Sequence, residues 1–347
     1  MTAIQAIQTG TELKIVVSVK SGATVTATRG NLSVSGISVN GTCTLVVPEG
    51  GEWSVKATLS GQTSDTKNIT FTDRYAVALS FVSAVLNDND WAKIKSVSDA
   101  GQGANYWSIG DRKAITLNGT VGHLTLSNYT IYAFIIGFNH NASVEGTNRI
   151  HFQLGKTALS GGTDVCFCDN QYGPDSGWSS PGAGYFVMNA SNTNSGGWKS
   201  SQMRTNICGT SLSSYSGTIS AVIPAALRAV LKSVTKYTDN TANGKGSNAS
   251  YVTATTDYFF LLSEYEVRGT INYGNSNEAS KQKQYAYYYA GDREIKYKHN
   301  GTNSPAIWWL RSPSAIQSST FVIVTNTAAT SFSGPEFSLG FAPGFCV

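Results

Sequence analysis

The chain is short of charge. Asp, Glu, Lys and Arg make up 13% of its 347 residues, roughly half the share in an ordinary globular protein. Histidine is rarer still, with four in all, so imidazole can serve as ligand or proton carrier at few places. No HxxxH, HExxH or paired-cysteine spacing occurs, which removes the usual marks of a zinc site. No Gly-rich stretch runs into Lys-Ser/Thr and no G-x-S-x-G is present, so neither a phosphate-cradling loop nor a nucleophile elbow is written here. No run of about 18 apolar residues exists, hence no membrane span is expected. Residues 1–5 lack the basic and apolar regions of a signal peptide. Five cysteines form no regular framework, and the odd count leaves at least one thiol unpaired. The expectation is a chain made in the cytoplasm with reduced cysteines. The net charge of +4 is scattered, densest at 281–283 and 296–298. No basic stripe interleaves with aromatics, so nucleic acid is not an expected partner.

What is abundant is turn-forming and β-leaning: 35 glycines, with many Ser, Thr and Asn, in a chain still 41% hydrophobic. Residues 1–82 read as a β-sandwich. Strand-like runs fall at 13–19, 24–28, 43–47, 53–58, 67–71 and 75–79, separated by Ser21-Gly22, Asn40-Gly41 and Gly50-Gly51. Residues 83–90 read as a polar linker, and 91–347 as a second, α+β domain. It opens on a helix at 91–97 capped by Asp90. Residues 106–109 and 114–117, flanked by Asn118-Gly119, predict a hairpin, and 130–138 predicts a buried central strand. Residues 155–197 form a Gly-, Ser- and Asn-rich loop. Pro224 with Leu227, Val230, Leu231 and Val234 predicts a helix, and 258–262 a strand. The fold class expected is mainly β.

The end of the chain organises the second domain. Trp308 and Trp309 carry a large apolar payload whose N–H groups need partners when buried. Arg311 follows, Pro313 forbids a regular central strand, and 321–325 is strand-like. Residues 340–347 close the chain on a buried-looking Phe345 and a final interior strand. WWLRSP and a closing G-F-x-P-x-F resemble an uncharacterised bacterial and phage domain family. In the same order that family shows W-x-x-I, G-D-x-K/R-x-I-x-L-x-G, I-I-G-F-x-H, W-K-S-S-Q-M-R and F-L-L-S-E-x-E. They are read here at 91–94, 110–119, 135–140, 198–204 and 260–266.

The closing segment is more remotely similar to C-type-lectin-like folds, among them relatives of the formylglycine-generating enzyme and the variable receptor-binding proteins diversified by phage retroelements. Many of those close with Arg-Pro; here Ala342 precedes Pro343. Residues 1–82 resemble immunoglobulin-like modules of phage tail proteins, without the Cys…Trp…Cys spacing of antibody domains. The resemblance implies an immunoglobulin-like β-sandwich followed by a C-type-lectin-like domain. It implies a phage or phage-derived tail protein, located in the virion and made in the bacterial cytoplasm, that recognises a host surface. Its implied partners are a host cell-surface glycan or protein and other tail proteins, in a homo-oligomer with a trimer as the tail-tip guess.

By that resemblance the ligand-binding residues are Gln317, Ser318, Ser319, Asn326, Thr327, Ser331, Phe332 and Glu336, above a scaffold of Trp308, Trp309, Arg311 and Phe345. Tyr172, Trp178, Tyr185 and Tyr285 to Tyr289 are further aromatics suited to sugar or protein contact. No catalytic residue, metal ligand or cofactor is expected. Calcium, held in some C-type-lectin-like folds, is open but unsupported, since E-P-N, Q-P-D and W-N-D sets are absent. Against this stand two chemical drawings. A metal or acid–base site could use His140, Asp111 and Glu264. A glycan-modifying or formylglycine-generating-like enzyme could use Glu264 and Glu266, alternating on one strand or turn, or Cys166 and Cys168. A purely structural tail or adhesin component without a ligand is the third alternative.

Overall fold

The computed structural model describes residues 4–9, 12–71, 81–168, 185–289, 291 and 293–347. The expected strand at 75–79, with Tyr172 and Trp178, lies outside them. The fold is mainly β, in several largely antiparallel sheets, and divides into two compact units, Met1–Ala84 and Val85–Val347.

Eight strands are described in the first unit: β1 (Ile4–Thr9), β2 (Glu12–Ser18), β3 (Thr24–Arg29), β4 (Leu32–Ile37), β5 (Thr42–Val47), β6 (Glu52–Leu59), β7 (Gln62–Thr63) and β8 (Lys67–Thr70). One sheet runs β1-β2-β5, and the other β4-β3-β6-β7 with β8 also on β6. Strict alternation along β5 sends Cys43, Leu45 and Val47 inward. They share a core with Ile15 and Val17 of the same sheet and with Val25, Ala27, Trp53 and Val55 of the other. Each Val, Leu or Ile side chain among them contributes roughly 1.5–3 kcal/mol by leaving water. Trp53 is fully buried, and its indole N–H donates to the Glu49 carbonyl at 3.1 Å. Asn40 (φ 52°) and Gly41 (φ 83°) make the two-residue turn between paired Val39 and Thr42, where positive φ at both positions favours Asn-Gly.

The second unit begins earlier than residue 91. Of the expected linker 83–90, Leu86 is buried, Asn87 Oδ1 accepts from the Ala114 N–H at 2.9 Å, and the Asn89 carbonyl takes the Lys113 ammonium. The helix α1 (Trp91–Asp99) follows, with the Asp90 carboxylate accepting from the Lys93 N–H at 2.7 Å. Its strands are β9 (Arg112–Val121), β10 (Leu124–Phe138), β11 (Ile150–Lys156), β12 (Val165–Cys166), β13 (Val234–Asp239), β14 (Val252–Asp257), β15 (Phe259–Phe260), β16 (Lys296–Lys298), β17 (Gly301–Ala306), β18 (Trp308–Pro313), β19 (Phe321–Val324), β20 (Thr330–Ser333) and β21 (Gly344–Cys346). The main sheet runs β15-β21-β11-β10-β9, so the late strand β21 sits in its interior. Phe345 of β21 stacks on Phe152 at 5.3 Å, and Trp91 of α1 meets both edge-on at 6.2 and 5.7 Å. That aromatic contact seats the helix on the sheet.

Three local expectations are corrected. The hairpin expected of 106–109 and 114–117 is not formed, because 106–109 is no strand. Instead β9 continues past Asn118-Gly119 to Val121 and pairs with β10 after the chain reverses at Gly122-His123, with Asn118 Oδ1 accepting the N–H of Asn128 beside a register shift in β10. Residues 103–106, just before, form a helical turn. The helix after Pro224 covers only Ala225–Arg228, because Lys232 bridges Cys346 and Val234 opens β13; sheet pairing overrides the helical spacing. Glu264 and Glu266 lie on a short helix, Glu264–Arg268, closed by a capping box from Ser263 to Glu266. Pro313 ends β18, an edge of the β18-β19-β20 sheet, where a missing N–H is tolerated.

Candidate functional site

The described residues contain a solvent-open cleft of about 620 Å³ in the second unit, within the roughly 300–1,000 Å³ range of ligand sites. Several chain segments meet there. Gly110 and Asp111 lead into β9 with Arg112, β11 ends on Lys156, and Thr163 and Asp164 return toward β12. Tyr287, Arg293 and Tyr297 come from the far side. The close return depends on Gly155: it has φ +145°, and a Cβ there would fall 2.3 Å from the Val165 carbonyl oxygen. Only glycine fits without displacing β12.

Five charged groups line the cleft. Lys156 pairs with Asp164, which also accepts from the Tyr287 hydroxyl at 2.9 Å. Asp111 accepts from the Ser108 N–H at 2.8 Å. Arg112 donates to the carbonyls of Ala158 (2.7 Å) and Gly161, fastening the loop after β11. Arg293 lies 4.6 Å over the Tyr287 ring and Lys156 lies 5.3 Å from its centroid, so this ring contacts two cations. Burial, then Lys296, Arg112 and Arg293, pull the Lys156 ammonium down to about 7. The ion pair with Asp164 works against that shift.

Beneath the surface lies a sealed ionic cluster. Glu266 takes the Arg311 guanidinium through both oxygens, one contact at 2.9 Å, and the Lys236 ammonium at 2.9 Å. Lys236 reaches Glu145 at 2.7 Å and the Tyr285 hydroxyl at 2.8 Å. His151 Nδ1 lies 3.1 Å from that hydroxyl and 3.2 Å from Cys346 Sγ, while His140 stacks on the Tyr285 ring at 3.7 Å. Burial pushes Glu145 up to about 7. Burial also opposes ionisation of Glu266, but Arg311 and Lys236 outweigh it and hold this carboxyl well below its usual range. Burial and the Lys236 charge lower His140 to about 3 and His151 well below its ordinary value, so both rings are neutral near pH 7. His140, Glu145 and Glu266 offer ligand atoms within 4.8 Å of one another. Lys236 already supplies positive charge to both carboxylates, so a dication would have to displace it.

The other expected groups are placed as follows. Asp111 and Glu264 do not join His140. Asp111 lines the cleft, and Glu264 accepts the N–H groups of Asn272, Tyr273 and Gly274 at 2.8–3.1 Å. Cys166 and Cys168 are buried free thiols with sulfurs 3.8 Å apart. Trp308, Trp309, Arg311 and Phe345 are all fully buried. The two indoles donate to the carbonyls of Glu294 and Phe186 at 2.8 and 2.9 Å. The ends of W-K-S-S-Q-M-R converge on one carboxylate: Trp198 Nε1 and Arg204 Nε reach Asp257 at 3.0 and 2.6 Å. Of the aromatics, Tyr285, Tyr287 and Tyr288 are buried, Tyr185 stacks on His123 at 4.3 Å, and Tyr289 is exposed.

The expected binding residues occupy both ends of β19. Gln317 and Ser318 are exposed and Ser319 half-buried before it, while Asn326 and Thr327 are exposed in the turn after it. Ser331, Phe332 and Glu336 are half-buried on and beyond β20. Phe332 lines a shallow groove of about 380 Å³ with Thr320, Ser333, Gly334 and Phe337, and meets the Tyr273 ring edge-on at 5.2 Å. Sequence reasoning missed the cleft. Its one written hint was Gly110-Asp111 in a quoted motif; Lys156, Asp164 and Arg293 are too far apart to form a pattern.

A family model described as a domain of unknown function (DUF6273) matches residues 185–347. No curated protein and no solved structure matches the chain.

Proposed function

We propose that this chain is a recognition protein, a phage or phage-derived tail component. In this reading an immunoglobulin-like module carries a C-type-lectin-like domain that contacts a host-surface glycan or protein. One observation supports binding over turnover. Of the groups through which catalysis could be drawn, His140, Glu264, Glu266, Cys166 and Cys168 are buried and held in contacts within the core; Asp111 alone reaches the cleft, apart from the others. A general acid or nucleophile must reach substrate, and the buried groups are enclosed by their own packing. What faces solvent is polar loop and cleft on a sheet scaffold, the arrangement that suits display. The modular resemblance supplies the tail context.

The test is binding of labelled protein to candidate bacterial cells. Ser333, Pro335 and Ser338 are buried, so scrambling the whole 326–338 segment would disturb the fold. The informative variants replace Gln317 and Ser318, or Asn326 and Thr327, which are exposed. Saturable binding that a loop variant weakens, with thermal unfolding unchanged, is the expected result. Turnover of a glycan with those buried residues intact, lost in Glu264→Gln, would move the assignment to an enzyme. No binding to any cell would favour a structural tail component.

A further inference from the structure

We propose that the cleft between Arg112, Lys156 and Arg293 is a binding site for a sugar carrying an anionic group, a carboxylate or a phosphate. It names a ligand class for the recognition reading, and rests on that reading only in choosing a sugar as the neutral part of the ligand.

The charge argument comes first. Three cationic side chains line the cleft against two carboxylates, and Lys296, in contact range of the same Phe134 ring as Lys156, adds a fourth charge just behind. Both carboxylates are engaged: Asp164 by Lys156 and the Tyr287 hydroxyl, Asp111 by a backbone N–H. The cations are less completely occupied. Arg112 donates through one amino group to two carbonyls, and Arg293 through one to the Tyr287 carbonyl at 3.2 Å. Among the described residues the other nitrogens of both forks carry no hydrogen bond. Unused guanidinium N–H groups on residues that line a cleft suit an anion, because a planar fork matches carboxylate or phosphate oxygens. Burial is the main cause of the lowered Lys156 ammonium, and the nearby charges of Lys296, Arg112 and Arg293 add to it.

The remaining walls decide what else the ligand carries. Asp111 and Asp164 retain acceptor lone pairs for hydroxyl donors, and Tyr297 is a half-buried ring at the margin. Among the described residues, Ile109 and Ile295 are the aliphatic side chains of Val, Leu or Ile type in the lining. A lipid or a plain aromatic acid would leave those acceptors unpaired at a cost. A polyhydroxylated anion pairs with both kinds of group.

The experiment is calorimetric titration of the full chain at low salt with oligogalacturonate, glucose 6-phosphate, neutral maltotriose and inorganic phosphate. We expect one or both acidic sugars to bind at least tenfold tighter than maltotriose and than inorganic phosphate, and more weakly as salt rises. Whichever acidic sugar binds identifies the anionic group. Arg293→Glu, at an exposed position, should weaken binding at least tenfold. Lys199→Glu, the same charge change at an exposed site outside the cleft, should not. The proposal is overturned if neither acidic sugar binds, if maltotriose or inorganic phosphate binds as tightly, or if Arg293→Glu has no effect. Cell binding by Arg293→Glu separates the two readings. If it persists while the titrations fail, the cleft is discarded and recognition stands; if the titrations succeed and no cell is bound, the cleft stands alone.

Discussion

Arg311→Met is the substitution with the largest consequence for the second unit. Arg311 is fully buried, bidentate on Glu266, and donates to the Leu261 carbonyl at 2.8 Å and Thr238 Oγ1 at 2.9 Å. Methionine fills similar volume but leaves Glu266 with Lys236, whose ammonium is already shared with Glu145. Removing one partner of a buried ion pair costs about 3–5 kcal/mol, most of it the uncompensated charge left behind. At about 2–4 °C per kcal/mol for a domain of this size, the melting temperature should fall by about 6–20 °C. Tryptophan fluorescence can follow it, because every tryptophan except Trp53 falls in Val85–Val347. Adding Glu266→Gln removes the orphaned anion while keeping a residue able to close the capping box with Ser263. The double variant should therefore recover part of the loss, with a coupling of about 1–3 kcal/mol. An Arg311→Met protein melting within about 3 °C of the parent, or a double variant whose losses simply add, would refute this account.

Three further predictions follow from the same structure. His140, His151 and His299 are all lowered by burial, His140 to about 3 and His299 to about 4. Their contribution is fully present above the unfolded value of about 6.5 and is lost as pH falls, each at about 1.4 kcal/mol per pH unit. Glu145 and Glu278, raised to about 7 by burial, run the other way: their contribution is present below about 4.5 and lost as pH rises through 7. Between pH 7 and 4.5 the two sets largely offset, and below 4.5 only the losses remain. Urea midpoints should change little to pH 5 and then drop steeply; a stability maximum near pH 4 would contradict this. Gly155→Ala should cost about 2–5 kcal/mol through backbone strain and overlap with Val165, and should weaken any cleft ligand by moving Lys156; a melt within about 2 °C of the parent would sink it. Asp90→Ala should remove about 1 kcal/mol by uncapping α1, visible as a shift of about 2–4 °C, and a null result would mean that packing of Trp91 alone fixes the helix start.

The readable parts of this chain are those where local pattern and tertiary demand agree. Alternation at 42–47 and 52–59 announces strands, Asn40-Gly41 a tight turn (though β4 and β5 on its two sides enter different sheets), and Asp90 before Trp91 a helix start. The edge strand β4 is harder to read, because Leu32–Ile37 carries Gly36 and no fully buried position. The helix spacing after Pro224 misleads for the opposite reason: Leu227 is buried on the short helix, but the chain then bridges Cys346 at Lys232 and enters β13 at Val234, so the set shares no single helical face. The motifs WWLRSP and F-L-L-S-E-x-E show most clearly where local reading stops. Each displays a conspicuous ionisable residue, and it is the pairing of Arg311 with Glu266, 45 residues apart, that turns both into one internal brace. Long-range pairing of this kind leaves no spacing signature, since the sheet, not the sequence interval, brings the partners together. The cleft obeys the same rule: Arg112, Lys156 and Arg293 become neighbours only after β9, β11 and the segment before β16 are in place. Two groups of charged residues in this charge-poor chain thus have distinct places. One set is sealed and braces the core, and the other is gathered at a surface where a ligand can meet it.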